Sequence, residues 1–297
     1  MNILVAVDQN PYSAHTVVRV ANLAANTWAN VTFLGVQPKK GARETTDAIP
    51  SSGWGIDAPL PRAVRDYRET FLSHFKEEDC PYTQREFGYK LIEVKKGIWE
   101  ELYISKSAKK ELRARIRVGN PVKEILAEAQ EEESDLIVLG CNNEKGCIWE
   151  GGNAVPQKVA NEAACSVFVI KEEKEINRVV CCLDHDSVSQ QSLEMINQLV
   201  TLYQARLEIV GLTEGEGLRA EIEKKIDAIL RYYTARNIAP WIELVELTSL
   251  ESFISQEAKW GLMALWMGKK SILGKVLSKG KVERIIKASK SSVLLLR

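Results

Sequence analysis

The feature that most limits what this chain can fold into is that it repeats itself. The apolar run ILVAVDQN, with Asp8 near its end, has a counterpart in VVCCLDHD, with Asp184 in the same place. A spacing of 27 residues separates Asp8 from Gly35 in VTFLGV, and the same spacing separates Asp184 from Gly211 in LEIVGL. A later stretch, GNPVKEILAEAQEEESDLIVLG, ends at Gly140 and aligns without a gap with LTSLESFISQEAKWGLMALWMG, which ends at Gly268. Each copy then closes on a β-rich run, CSVFVIK and SSVLLLR. Landmarks at fixed internal distances imply two tandem copies of one unit.

Within a copy, near-continuous apolar runs alternate with segments of helical periodicity. Such runs suit strands buried on both faces, and the alternation implies right-handed crossovers and a parallel sheet covered by helices. The expected architecture is two doubly wound five-stranded domains, residues 1–172 and 176–297, joined by the charged linker KEEKEIN. Residues 37–112 of the first copy have no equivalent of similar length in the second, which offers one helix at about residues 217–236. With Gly53, Gly55, Pro50, Pro59, Pro61 and Pro81, this segment reads as an added surface flap or partner-contact element.

Charge excludes some functions. Lys plus Arg and Asp plus Glu stand at 40 each, so no net field draws the chain toward nucleic acid or an anionic membrane. The opening MNILVAVDQN lacks a basic leader, and no apolar stretch approaches the roughly 18 residues of a membrane span, so a cytoplasmic location is expected. Six cysteines show no C-x-x-C spacing; buried free thiols are the expectation, and a Cys141 to Cys147 disulfide is disfavoured in a reducing compartment. The sequence Asp184-His185-Asp186 is the one metal-like grouping, and a polar loop after a strand explains it equally, so no metal is expected. No G-x-S-x-G elbow or Cys-His arrangement supports nucleophilic catalysis, and Ser13 and Ser187 read as helix caps.

The strand ending in Asp8, the FLGV strand with Val36, the VGNP turn, DLIVLG ending at Gly140 and the closing CSVFVI strand together resemble the universal stress protein family. The resemblance covers nearly the whole chain apart from residues 37–112, in a tandem form, and implies an adenine nucleotide alpha hydrolase-like fold. In the nucleotide-binding branch of that family, the first-strand aspartate and a small apolar residue after the second strand hold adenosine. A loop of pattern G-x2-G-x9-G-(S/T) holds the phosphates, because glycines let backbone N–H groups approach an anion.

Carried over residue by residue, the pattern is partly kept. In the first copy Asp8, Val36 and Gly140 match, Asn143 stands at the second glycine, and the ungapped count places Asn153 and Ala154 where Gly-Ser is expected. A one-residue deletion would instead place Gly152 and Asn153 there. In the second copy Asp184 and Gly268 are kept, Leu212 is the apolar residue, Ser271 replaces the middle glycine, and Gly280 precedes Lys281. The resemblance therefore implies ATP or AMP as the ligand class, on a site that is altered in both copies. Trp149, inside the first loop, is expected to fill space that a phosphate would occupy, and Trp266 to pack in the core.

Three functional readings follow. The leading one is a non-catalytic stress-response regulatory module with a degenerate adenine-nucleotide site; the second is a working ATP or AMP sensor, with slow hydrolysis as a variant. The third rests on residues 268–297, where seven lysines and two arginines face the single acid Glu283, and would make the chain an adaptor for RNA or an acidic protein partner. Family members pair their last strands between subunits, so the resemblance implies internal pairing of the two closing strands as a pseudo-dimer, with a homodimer of whole chains as a further level.

Overall fold

The computed structural model describes residues 1–38, 59–76, 79–82, 90–102, 109–142, 147, 149, 154–171, 175–182, 188–213, 220–267, 273, 276–277 and 279–297. Packing divides the chain into two compact units. The first comprises Met1–Cys141 and Ile148–Cys165, the second Ser166–Arg297 with Asn142–Cys147.

In the first unit the elements run β1 (Asn2–Val7), α1 (Pro11–Ala25), β2 (Asn30–Gln37), α2 (Pro59–Leu72), β3 (Lys90–Lys95), β4 (Ile98–Leu102), β5 (Leu112–Val118), α3 (Pro121–Glu131), β6 (Leu136–Cys141) and α4 (Val155–Glu162). The strand order is β6-β1-β2-β5-β4-β3; β6, β1, β2 and β5 are mutually parallel, and the last two strands join antiparallel. β1 and β6 are apolar almost throughout and buried, as a strand covered on both faces must be. Proline opens α1 and α3 at the first helical position (Pro11, Pro121) and stands second in α4 (Pro156), within the first turn, where its missing N–H has no helical partner to lose.

Residues 37–112 are more than a flap. Their described part supplies α2, which packs on β2 and β5, and the hairpin β3–β4, which widens the sheet past β5. The hairpin turns at Gly97, whose φ of +78° is open to glycine and costly for other residues.

β5 carries Arg113, Arg115 and Arg117 at alternate positions, hence on one face, and α3 covers that face with Glu124, Glu128, Glu131 and Glu132 at helical spacing. Glu128 is fully buried and joins two arginines: Arg115 Nη1 donates to its Oε1 at 2.7 Å, and Arg117 Nε donates to its Oε2 at 2.5 Å. Arg115 also donates to Glu132 and, at 2.9 Å, to Glu100 on β4, while Arg117 donates to Glu131 at 2.7 Å. A charge this buried persists because each oxygen has a charged donor.

The second unit contains β7 (Ser166–Lys171), β8 (Arg178–Cys182), α5 (Gln190–Tyr203), β9 (Arg206–Thr213), α6 (Ala220–Thr234), β10 (Trp241–Glu246), α7 (Leu250–Glu257), β11 (Leu262–Trp266), α8 (Lys279–Ala288) and β12 (Val293–Leu296). Its order is β10-β9-β8-β11-β12-β7. β8 to β12 are the five parallel strands expected of the second copy. Beside them β7, the closing strand of the first copy, pairs antiparallel with β12 through Val169↔Val293, Phe168↔Leu294 and Val167↔Leu295. The closing strands of the two copies thus pair, and neither leaves this apolar edge bare. Lys171, at the end of β7, is buried and donates from Nζ to the Ile286 carbonyl in the last turn of α8 at 2.9 Å. Burial pulls its ammonium down to about 8.

Two expectations are corrected. Cys141 and Cys147 are disulfide-bonded, whereas Cys80, Cys165, Cys181 and Cys182 keep free thiols, so the expectation of free thiols holds for the latter four alone. Proximity along the chain, not the compartment argument, decided this. Ser13 does not cap α1, because Asn10 holds that position and the Ser13 hydroxyl is turned to Asp8; Ser187 lies outside the described residues, and Ser189 caps α5. Among the described residues no helix is long and apolar enough to cross a membrane.

Candidate functional site

Neighbouring parallel strands deliver their C-terminal ends to one place, where side chains from several loops meet. Val7 lies opposite Gly35, and Ala6 opposite Leu139, so the register brings Asp8, Val36 and Gly140 to the same end of β1, β2 and β6. The three residues matched in the first copy are therefore neighbours. Val36 is half-buried, and Asp8 is only partly covered.

The Asp8 carboxylate is held by its own chain. Oδ1 accepts from the Asn10 backbone N–H at 3.0 Å and from the Ser13 hydroxyl at 2.8 Å; Oδ2 accepts from the Asn10 side-chain amide at 2.7 Å and from the Tyr12 hydroxyl. A carboxylate offers about four lone-pair directions, and four donors meet them here. Tyr67 of α2 reaches the same loop from 59 residues away, donating to the Asp8 carbonyl at 2.9 Å. Burial, and then the Asp8 charge, push its hydroxyl up to about 12, so it remains a donor.

Gly140 is a packing glycine in this structure. A Cβ there would lie 2.2 Å from Thr16 Oγ1 and 2.8 Å from the Tyr12 carbonyl oxygen, so α1 crosses β6 at a distance only glycine permits. The Gly140 carbonyl accepts from the Trp149 indole N–H at 2.9 Å. Trp149 is only 6% exposed, and its ring lies 6.4 Å from that of Tyr12. Tyr12 and Trp149 thus form a tilted aromatic pair beside Asp8 and Gly140, with the Tyr12 hydroxyl on Asp8 and the Trp149 indole N–H on Gly140.

The other residues assigned to the site from sequence are placed unevenly. Asn143, Gly152, Asn153, Asp184 and Gly268 lie outside the described residues, as does the Asp184-His185-Asp186 grouping. Gly280 lies within α8 with open space where a Cβ would be, so its backbone is not pressed against a neighbour. Lys281 Nζ pairs with Glu251 of α7 at 2.7 Å. Sequence reasoning missed Asn10, Tyr12 and Tyr67. The first two lie within four residues of Asp8 in the stretch DQNPY, where an Asx-type turn is a readable signal; no pattern links Tyr67 to Asp8.

With this geometry in view, the model of the universal stress protein family matches residues 1–171. No curated protein sequence matches the chain. The chain is similar in structure to a universal stress protein from Archaeoglobus fulgidus DSM 4304, with a TM-score of 0.57 and 14% identity over 100% of this chain and 98% of that one. It is likewise similar to a functionally unknown protein from Pseudomonas aeruginosa PAO1, with a TM-score of 0.56 and 15% identity over 99% and 92% of the two chains. These likenesses are of fold.

Proposed function

The chain belongs to the universal stress protein family, and from that premise we propose that it is a non-catalytic stress-response binding module whose first-copy adenosine site is occupied by its own side chains. The observation that carries this reading is the saturation of Asp8 by Asn10, Tyr12 and Ser13. A ribose or adenine donor reaching Asp8 has to displace one of them, and a hydrogen bond to a charged group contributes about 1.5–3 kcal/mol. Trp149 adds to the barrier by holding the Gly140 carbonyl and the space beside it.

Calorimetry with ATP and with AMP tests the proposal. The wild-type protein is expected to give no measurable binding heat. Saturable binding of either nucleotide, lost in Asp8→Ala, would overturn the occupied-site reading in favour of a working sensor. Tyr12→Phe with Trp149→Ala, which frees one Asp8 lone pair and removes the indole, is expected to gain nucleotide affinity.

A second reading rests on α8, where Arg284 and Lys287 are both exposed. An RNA or acidic-protein adaptor would engage them. RNA retention that falls steeply with added salt and in Arg284→Glu/Lys287→Glu supports it, and salt-insensitive retention counts against it.

A further inference from the structure

The two copies finish the same sheet edge differently. Ile116 stands opposite Gly35 in the β2–β5 ladder, and Leu244 stands opposite Gly211 in the β9–β10 ladder, so the two residues hold equivalent places in the repeat. Ile116 is 1% exposed, because the sheet continues past it: β4 pairs antiparallel with β5 and sets Trp99 opposite Ile116. Among the described residues no strand joins the outer side of β10, and Leu244 is 51% exposed. Ile242, on the same face, and Trp241, on the other, are exposed as well.

An open strand edge pairs with further strands unless the sequence blunts it. The outermost strand of the first unit is blunted: β3 carries Lys90, Glu93 and Lys95, and its ladder is irregular between Glu93 and Lys95. β10 has neither device. It carries no lysine, and its ladder with β9 runs from Trp241 to Glu246 without a register shift. Pro240 precedes the strand and removes no donor from within it. At its other apolar edges the chain pairs strands antiparallel, β4 on β5 and β12 on β7.

A strand that completes this edge has to be apolar on both faces, and β10 itself is such a strand, with Ile242 and Leu244 on one face and Trp241 and Val245 on the other. We propose that β10 pairs antiparallel with β10 of a second copy of this chain, about a two-fold axis at Leu244. In that register Leu244 faces its own counterpart, Ile242 lies opposite Glu246, and Glu243 lies opposite Val245. No two glutamates are opposed, and Pro240 stays outside the ladder. One pairing uses up the edge of both copies, so assembly stops at two. A six-residue ladder lies at the small end of specific interfaces, which sets the Kd on the order of 10–100 µM. The interface shares no side chain with the Asp8 cluster and does not depend on the reading given to that cluster.

Sedimentation equilibrium of the full chain from about 1 to about 200 µM tests this, with a monomer–dimer equilibrium expected in that range. Leu244→Lys sets two ammonium groups opposite each other at the axis and is expected to weaken the dimer at least about tenfold. Ile242→Glu, which opposes Glu246 on both sides of the axis, is the second disrupting variant if circular dichroism shows the first unfolded. Val94→Lys, at an exposed apolar residue of β3, is the control and is expected to change nothing. Amide hydrogen exchange over residues 241–246 is expected to slow as concentration rises, while exchange over residues 90–95 stays constant. A monomer at every concentration, open-ended assembly, a dimer of wild-type affinity in a folded disrupting variant, or β10 exchange independent of concentration each overturns the proposal.

Discussion

Replacing Glu128 by Gln removes one charge and little volume from the interface of α3 with β5. Glu128 is fully buried and accepts from Arg115 at 2.7 Å and from Arg117 at 2.5 Å. The glutamine keeps one acceptor and turns an amide N–H₂ toward the other guanidinium, so one charge-assisted bond is lost and the other is weakened. At about 1.5–3 kcal/mol for each bond to a charged group the gross loss approaches 3–5 kcal/mol. Arg115 retains Glu100 and Glu132, and Arg117 retains Glu131, which recover part of it. The expected destabilisation is about 3 kcal/mol. With a urea slope of about 2 kcal/mol/M, the midpoint of first-unit unfolding falls by about 1.5 M. Intrinsic fluorescence and far-ultraviolet circular dichroism across a urea series measure it. Glu124→Gln is the control: its carboxylate is 27% exposed and lies 3.5 Å from Arg117, so less than about 1 kcal/mol is expected. Equal effects of the two substitutions, or a Glu128→Gln cost below about 1 kcal/mol, would refute the claim that the buried bridge dominates this interface.

Three further outcomes are expected. Thiol titration of the denatured, non-reduced protein should find four reactive cysteines, and six after reduction; six before reduction would contradict the disulfide state of Cys141 and Cys147. Gly140→Val should destabilise the first unit by about 1–3 kcal/mol through overpacking against Thr16 and Tyr12, read as a lower thermal midpoint. Lys171 has its pKa lowered by burial to about 8 from an ordinary 10.5, so between these values the unfolded chain holds a proton that the folded one lacks, and stability rises with pH across that window by about 3 kcal/mol. Lys171→Met removes that titration, and the stability of the variant relative to wild type should fall by a similar amount from pH 7.5 to pH 10.5; a difference independent of pH would show that the ammonium is not buried as described.

The parts of the fold that sequence made legible are those whose signal is local or repeated. The equal spacing from Asp8 to Gly35 and from Asp184 to Gly211 survives in the paired strands β1–β2 and β8–β9, because a strand, a crossover helix and a strand need a fixed length of chain. The hairpin β3–β4 had a local signal, because KLIEVK and IWEEL are short β-rich runs on either side of a Lys-Gly turn, but neither run alternates cleanly enough to mark a strand. The alternation of Arg113, Arg115 and Arg117 facing Glu124, Glu128 and Glu132 at helical spacing was readable and was missed. The Asp8 cluster divides along the same line: register alone predicts that Asp8 meets Val36 and Gly140, whereas Tyr67 arrives across 59 residues by tertiary packing that no periodicity encodes.

The pairing of β7 with β12 has an evolutionary consequence. In a symmetric dimer of single copies every substitution appears twice, so a residue that closes one site closes both, and an interface strand must complement itself. Joining the copies in one chain keeps the strands at high mutual concentration whatever the protein's abundance, and each position is then written once. The Tyr12–Trp149 pair can arise beside Asp8, and lysines can gather on α8, without imposing either change on the sister copy. Covalent tandem linkage thereby turns a duplicated fold into two separately editable halves.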